Sequence, residues 1–167
     1  MLVLGIDPGT ATTGYGLVKN ERGKVRIISY GTIKTSAKLD MPRRLLKINR
    51  EYSALLDEFH PDAVAIEELF HHKNAKTVIS VAQSRGVLLM TAAAREIDIA
   101  EYTPLQVKQA VTGYGNADKR QIQIMVQKIL TLDTLPQPDD AADALAIAIC
   151  HLHSYRLGNL NRGGSSL

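Results

Sequence analysis

The sequence predicts one α/β domain, a mixed sheet flanked by helices. Three observations carry this. The chain has 167 residues, 45% of them hydrophobic, enough for one real core and too little for two independent ones. Its first part reads as three strands in succession. The remainder alternates helix and strand before closing on helices alone, in the order β-β-β-α-β-α-β-α-α-α.

The elements follow in turn. Leu2 to Ile6 is a continuous apolar run stopped by the turn signal Asp7-Pro8-Gly9, hence a buried strand ending on an aspartate. Thr13 to Lys19 and Lys24 to Ile33 are two further strands, and Asn20-Glu21-Arg22-Gly23 between them suits a hairpin. From Pro42 to Phe59 the period becomes helical, with Leu45, Tyr52, Leu55, Leu56 and Phe59 on one side and Arg43, Arg44, Lys47 and Arg50 on the other. Pro61-Asp62 breaks it, and Ala63 to Ile66 forms a fourth strand running into Glu67. Thr77 to Ile97 reads as a long helix of small and apolar residues, and Ile99 to Tyr102 as a fifth strand. Thr103-Pro104 supplies an N-cap and a first-position proline for a short helix to about Val111. A second helix spans about Asp118 to Leu130, and the last runs from Asp139 to about Tyr155. Residues 1–157 make the domain. Residues 158–167, rich in Gly, Asn and Ser, read as a flexible polar tail.

Composition narrows the function. No apolar stretch approaches the roughly 20 residues of a membrane span, and the N-terminus lacks the basic start of a signal peptide. The one cysteine, Cys150, has no partner for an internal disulfide, which points to a reducing, cytoplasmic setting. The formal net charge is +3. Residues 71–130 hold eight Lys/Arg against four Asp/Glu, whereas three acids crowd into positions 139–143. A basic middle beside an acidic knot suits a metal-dependent phosphodiesterase; a solvated helix surface is the plainer reading of the charges alone.

The acids are the most informative residues. Asp7 and Glu67 each end a strand, where ligand sites of open α/β sheets form. Asp140 and Asp143 lie three apart, one helical turn, on a common face. The run Ala141 to Cys150 is otherwise apolar, so Asp143 sits in a buried helix and calls for a partner or a metal. Four converging carboxylates without a cysteine among them select a hard cation, Mg²⁺ or Mn²⁺, over zinc. Two such ions about 4 Å apart serve in-line phosphoryl displacement. Plainer roles exist for each acid: Asp7 as a turn former, Asp139 and Asp140 as first-turn acids complementing the helix dipole. His71 and His72 stand in a polar stretch and read as surface or loop residues. His151 and His153 lie beyond the acid pair on the last helix.

The combination Leu4-Gly5-Ile6-Asp7-Pro8-Gly9-Thr10, Ala65-Ile66-Glu67-Glu68-Leu69-Phe70 and Asp140-Ala141-Ala142-Asp143-Ala144-Leu145-Ala146 resembles the RuvC family of Holliday-junction resolvases. The likeness continues through Asn74-Ala75, Arg85-Gly86-Val87, Tyr102 to Lys108 and Ala117-Asp118-Lys119, to about His153. The resemblance implies a ribonuclease-H-like fold, a five-stranded mixed sheet with helices on both faces. It implies a homodimeric endonuclease that resolves four-way DNA junctions by two symmetric nicks in recombination and repair. It also implies two Mg²⁺ per site, with Mn²⁺ able to substitute, and partnership with a RuvA–RuvB branch-migration complex. By motif position the catalytic and metal-binding acids are Asp7, Glu67, Asp140 and Asp143. Glu67 is preferred to Glu68 because it directly follows Ala65-Ile66, and Asp140 to Asp139 because it opens the Asp-Ala-Ala-Asp pattern. Asp139 is also one turn from Asp143, so that choice stays open. Lys108 and Lys119 map to DNA-contacting bases, and Phe70 to an aromatic that meets bases near the crossover. Arg120, Lys73 and Lys76 join them on charge. The 77–97 helix matches the dimer helix.

Other classes fit less well. The Asp7-Pro8-Gly9-Thr10 turn also occurs in actin-like ATPases, which need two such domains and a further phosphate loop. A YqgF-type nuclease acting on RNA and a catalytically silent junction binder are the nearer alternatives.

Overall fold

Strand β1 (Leu2–Asp7) occupies the centre of the sheet because it is apolar on both sides, and its two faces bury different things. The structure is a computed structural model and describes residues 1–69 and 75–163. Strands β2 (Thr12–Glu21), β3 (Lys24–Lys34), β4 (Ala63–Glu67) and β5 (Asp98–Tyr102) complete a five-stranded sheet of order β3-β2-β1-β4-β5. The first three strands pair antiparallel, while β4 lies parallel to β1 and β5 parallel to β4. The meander closes at Arg22-Gly23, both with positive φ (52° and 83°), the geometry of a two-residue hairpin turn matched to strand twist.

Helices α1 (Met41–Phe59) and α2 (Ala75–Ala93) cover one face. Helices α3 (Pro104–Thr112), α4 (Lys119–Ile129) and α5 (Asp139–Gly163) cover the other. Period-2 alternation decides which residues meet which layer. On β1, Leu4 and Ile6 pack with Ile48, Tyr52 and Leu56 of α1 and Leu88 of α2. Val3 packs with the α5 side, and so Gly5 and Asp7 also face α5. On β4 the same parity sends Val64 and Ile66 to the α1 layer and Ala65 to the α5 layer, with Glu67 following Ala65.

Glycines let α5 approach. A Cβ on Gly5 would collide with the Ala144 carbonyl oxygen, one on Gly14 with that of Asp140, and one on Gly16 with Leu145. Gly5 pairs with Gly16 and Asp7 with Gly14 across the β1–β2 ladder. The helix therefore rests on bare backbone, and its alanines 141, 142, 144, 146 and 148 are all buried. This close seating brings its acidic first turns beside the end of β1.

Most boundaries fall within two residues of the sequence expectation, and two helix ends depart further. Helix α2 stops at Ala93, short of Ile97, because Glu96 turns left-handed (φ 56°). The Ile97 N–H then donates back to the Ala92 carbonyl, a helix-ending turn usually announced by glycine. Helix α5 continues to Gly163, past the end near Tyr155 and into the segment assigned to a flexible tail at 158–167. No proline interrupts the sequence between Asp139 and Gly163, so nothing forces an earlier stop. Residues 164–167 lie outside the described residues.

Candidate active site

The loop after β1 is a tied knot. Thr13 Oγ1 donates to the Gly9 carbonyl at 2.6 Å, and Thr10 Oγ1 to the Ser80 carbonyl on α2 at 2.6 Å. Thr35 Oγ1 donates to the Thr10 carbonyl at 2.5 Å. Gly9 has no room for a side chain, since the Thr12 carbonyl would meet its Cβ. The glycine and threonine of Asp-Pro-Gly-Thr thus help fix the aspartate at the strand end. On β4, Arg85 of α2 donates Nε to the Glu67 carbonyl at 3.1 Å and pairs with Glu101, which holds the backbone carrying Glu67.

Asp7, Glu67 and Asp143 line one cavity of about 220 Å³, together with Pro104, Val107, Lys108, Lys119, Ile122 and Ala146. Apolar side chains and two lysines thus share the lining with the three acids. Burial pushes the Asp7 carboxyl up to about 8, helped by the charges of Glu67, Asp143 and Asp140 and opposed by Lys119. Burial also raises Glu67 to about 7, with Asp143 adding and Lys108 opposing. Asp143 is raised by burial, against the pull of Lys119. Acids pushed upward together in one cleft mark a site built for something positive.

Asp140 does not line the cavity, yet its charge acts on Asp7. Asp139 behaves otherwise. Hydrogen bonds from Lys119 and then Gln123 hold its carboxyl below the ordinary range. Lys119 Nζ lies 3.2 Å from Oδ2 of both Asp139 and Asp143, and Gln123 Nε2 donates to Asp139 Oδ1 at 2.9 Å.

Of the basic candidates, Lys108 and Lys119 reach the cavity. Arg120 is exposed and has no ion pair among the described residues. Phe70, Lys73, His71, His72 and the side chain of Lys76 lie outside the described residues. His151 Nδ1 shares a hydrogen bond with the Tyr102 hydroxyl at 2.8 Å, and His153 Nδ1 meets the Ala110 carbonyl at 2.9 Å; neither lines the cavity. Sequence reasoning missed Gln123 and the apolar lining residues Pro104, Val107 and Ile122. The four-residue spacing of Lys119 and Gln123 on one helix face was the available signal.

The donor set is oxygen only, which fits a hard divalent cation. Among the described residues no three acidic, histidine or cysteine side chains form a ready metal-binding group. The Lys119 ammonium pairs instead with Asp143.

Fold and cleft together define an RNase H-like domain of the nuclease class. The RuvC family, described as crossover junction endodeoxyribonuclease RuvC, matches residues 3–151. A crossover junction endodeoxyribonuclease RuvC from Syntrophomonas wolfei is 70% identical over 159 residues, 95% of this chain and 92% of its own length. The Desulfitobacterium hafniense counterpart is 54% identical over all 167 residues, covering both chains fully. Thermus thermophilus RuvC, solved in complex with a Holliday junction substrate, superposes with a TM-score of 0.91 at 36% identity, covering 95% of this chain and 96% of its own. The chain belongs to the RuvC family.

Proposed function

We propose that the protein resolves four-way DNA junctions by paired, symmetric, cation-dependent nicks. The observation that carries this is the single cleft in which Asp7, Glu67 and Asp143 meet Lys108 and Lys119. Asp7, Glu67, Asp140 and Asp143 would hold Mg²⁺, with Mn²⁺ a substitute. Bound there, the cations supply Lewis acidity toward phosphoryl oxygens and make an attacking water more acidic.

The chain's own groups do the rest. Lys108 and Lys119 face the cleft as cations and can each take a phosphate oxygen, setting the orientation of the backbone and offsetting developing charge. Val107, Ile122 and Ala146 add apolar surface to the lining, and the lower local dielectric strengthens those contacts. Arg85 and the Thr10 and Thr13 hydrogen bonds keep Glu67 and Asp7 on rigid strand ends, so the acids are presented in fixed positions.

Paired nicking calls for two sites, and α2 supports a homodimer. Its outer face carries Ile79 and Met90 at 62% and 61% exposure, with Ala82, Gly86 and Ala93 also exposed between and beyond them. Such a stripe suits close packing across a two-fold axis. Phe70 as a DNA contact and work beside a RuvA–RuvB complex belong to the same reading on the family resemblance; Lys73, Lys76 and Arg120 join as DNA contacts on charge, and a cytoplasmic location on the single cysteine.

The test incubates purified protein with a synthetic four-way junction and with linear duplex of the same sequence, in Mg²⁺ and in EDTA. Paired nicks confined to the junction and lost in EDTA are expected. Junction binding without cutting, or hydrolysis of RNA in place of DNA, would overturn the proposal.

A further inference from the structure

Asp139 is the one acid of the 139–143 cluster outside the proposed ligand set, and both its oxygens are engaged by α4. Lys119 and Gln123 stand four residues apart and therefore on one face of that helix. Gln123 is a buried polar side chain, 7% exposed, whose amide requires a partner. Asp139 Oδ1 supplies it at 2.9 Å. That bond fixes the carboxylate's rotation and leaves Oδ2 aimed at the Lys119 ammonium, 3.2 Å away. The same ammonium sits 3.2 Å from Asp143 Oδ2.

We propose that Asp139 is a positioning residue that holds Lys119 at the mouth of the cleft. The inference rests on the nuclease reading of that cleft. Lys119 is shared between two carboxylates, one inside the cleft and one outside. A cation bound at Asp143 would compete with the ammonium for that carboxylate. Asp139 then remains as the anchor that keeps Lys119 beside the site and free to meet a phosphate, where a solvated lysine would sweep a wide volume. Lys119 and Asp139 are each 53% exposed, and exposed pairs contribute little to folding stability. The contact thus aims a side chain more than it supports the fold.

The experiment compares Asp139→Asn, Lys119→Met and the double variant in the full-length protein. Asparagine keeps an acceptor for Gln123 and removes the charge that Lys119 needs. Acetylation of lysines by an N-hydroxysuccinimide ester in Mg²⁺ without DNA, mapped by mass spectrometry, reads the latch without any activity. Asp139→Asn is expected to speed modification of Lys119 several-fold and leave Lys128 unchanged. Single-turnover junction cleavage reads the consequence. A loss of about tenfold in the Asp139→Asn rate at saturating DNA is expected, with junction affinity and unfolding midpoint unchanged. Asp139→Asn should add nothing in the Lys119→Met background. Unchanged labelling of Lys119 would overturn the latch. Equal losses in both backgrounds would overturn action through Lys119. A wild-type protein that cuts no junction would defeat the nuclease reading instead, with labelling still judging the contact.

Discussion

Replacing Asp7 with asparagine should make the cation-free protein more stable. Burial and three neighbouring acids hold this carboxyl at about 8, against an ordinary value of 3.8. Between those values the folded chain keeps a proton that the unfolded chain releases. Stability therefore falls as pH rises through that window and levels off above it. At about 1.36 kcal/mol per unit, the penalty at pH 7.5 reaches an upper bound of about 5 kcal/mol. Water entering the open cleft reduces this, so a net gain of about 2 to 3 kcal/mol is the reasonable expectation for Asp7→Asn. In a domain of this size that raises the unfolding midpoint by about 4 to 10 °C. The assay is thermal unfolding followed by circular dichroism from pH 5 to pH 8.5 in EDTA, repeated with Mg²⁺. The gap between variant and wild type should be small at pH 5 and widen toward pH 8. Mg²⁺ should raise the wild-type midpoint more than that of the variant. A variant no more stable than wild type at pH 8 in EDTA, or a gap independent of pH, would refute the electrostatic argument.

Two further substitutions probe the scaffold. Gly14→Ala puts a methyl against the Asp140 carbonyl, so the unfolding free energy from urea titration should fall by about 2 to 3 kcal/mol; junction cleavage should fall with it as α5 is displaced. Tyr52→Phe removes a buried hydroxyl that has no hydrogen-bond partner among the described residues, and should be neutral or stabilising by up to about 1 kcal/mol in the same titration; a clear loss would show that the hydroxyl has a partner.

Much of this site was legible in the sequence, and the parts that were not share a physical reason. Asp7 and Glu67 could be read because strand ends in α/β sheets are ligand positions, and Asp143 because an acid within an alanine run demands an explanation. Strand parity resolves Glu67 from Glu68: it puts Glu67 on the α5 face after Ala65, and Glu67 lines the cavity. Asp139 and Asp140 could not be separated, since both occupy a first helical turn. What distinguishes them is the partner across the cleft, and partners are not written locally. Asp140 acts on Asp7, while Asp139 is taken by Lys119 and Gln123. Gly5, Gly14 and Gly16 were equally opaque, because their role depends on which helix crosses them. The left-handed Glu96 that ends α2 carries no glycine to announce it.

The same packing explains why an unstable site can persist in a stable domain. Helix α5 presents its N-terminal end to the sheet, and the positive end of its dipole offsets part of the repulsion among the acids of its first turns. Its next turns, from Ala141 to Leu152, are almost entirely buried against the glycines of β1 and β2 and the apolar faces of α3 and α4. The energy that keeps Asp143 in one cleft with Asp7 and Glu67 thus comes from hydrophobic contacts along the helix, remote from the carboxylates themselves. Loosening that seat should release the acids, whereas neutralising an acid should leave the seat intact. Gly14→Ala and Asp7→Asn therefore ought to move stability in opposite directions while both diminish cleavage, a pattern that a site held together by its own interactions would not produce.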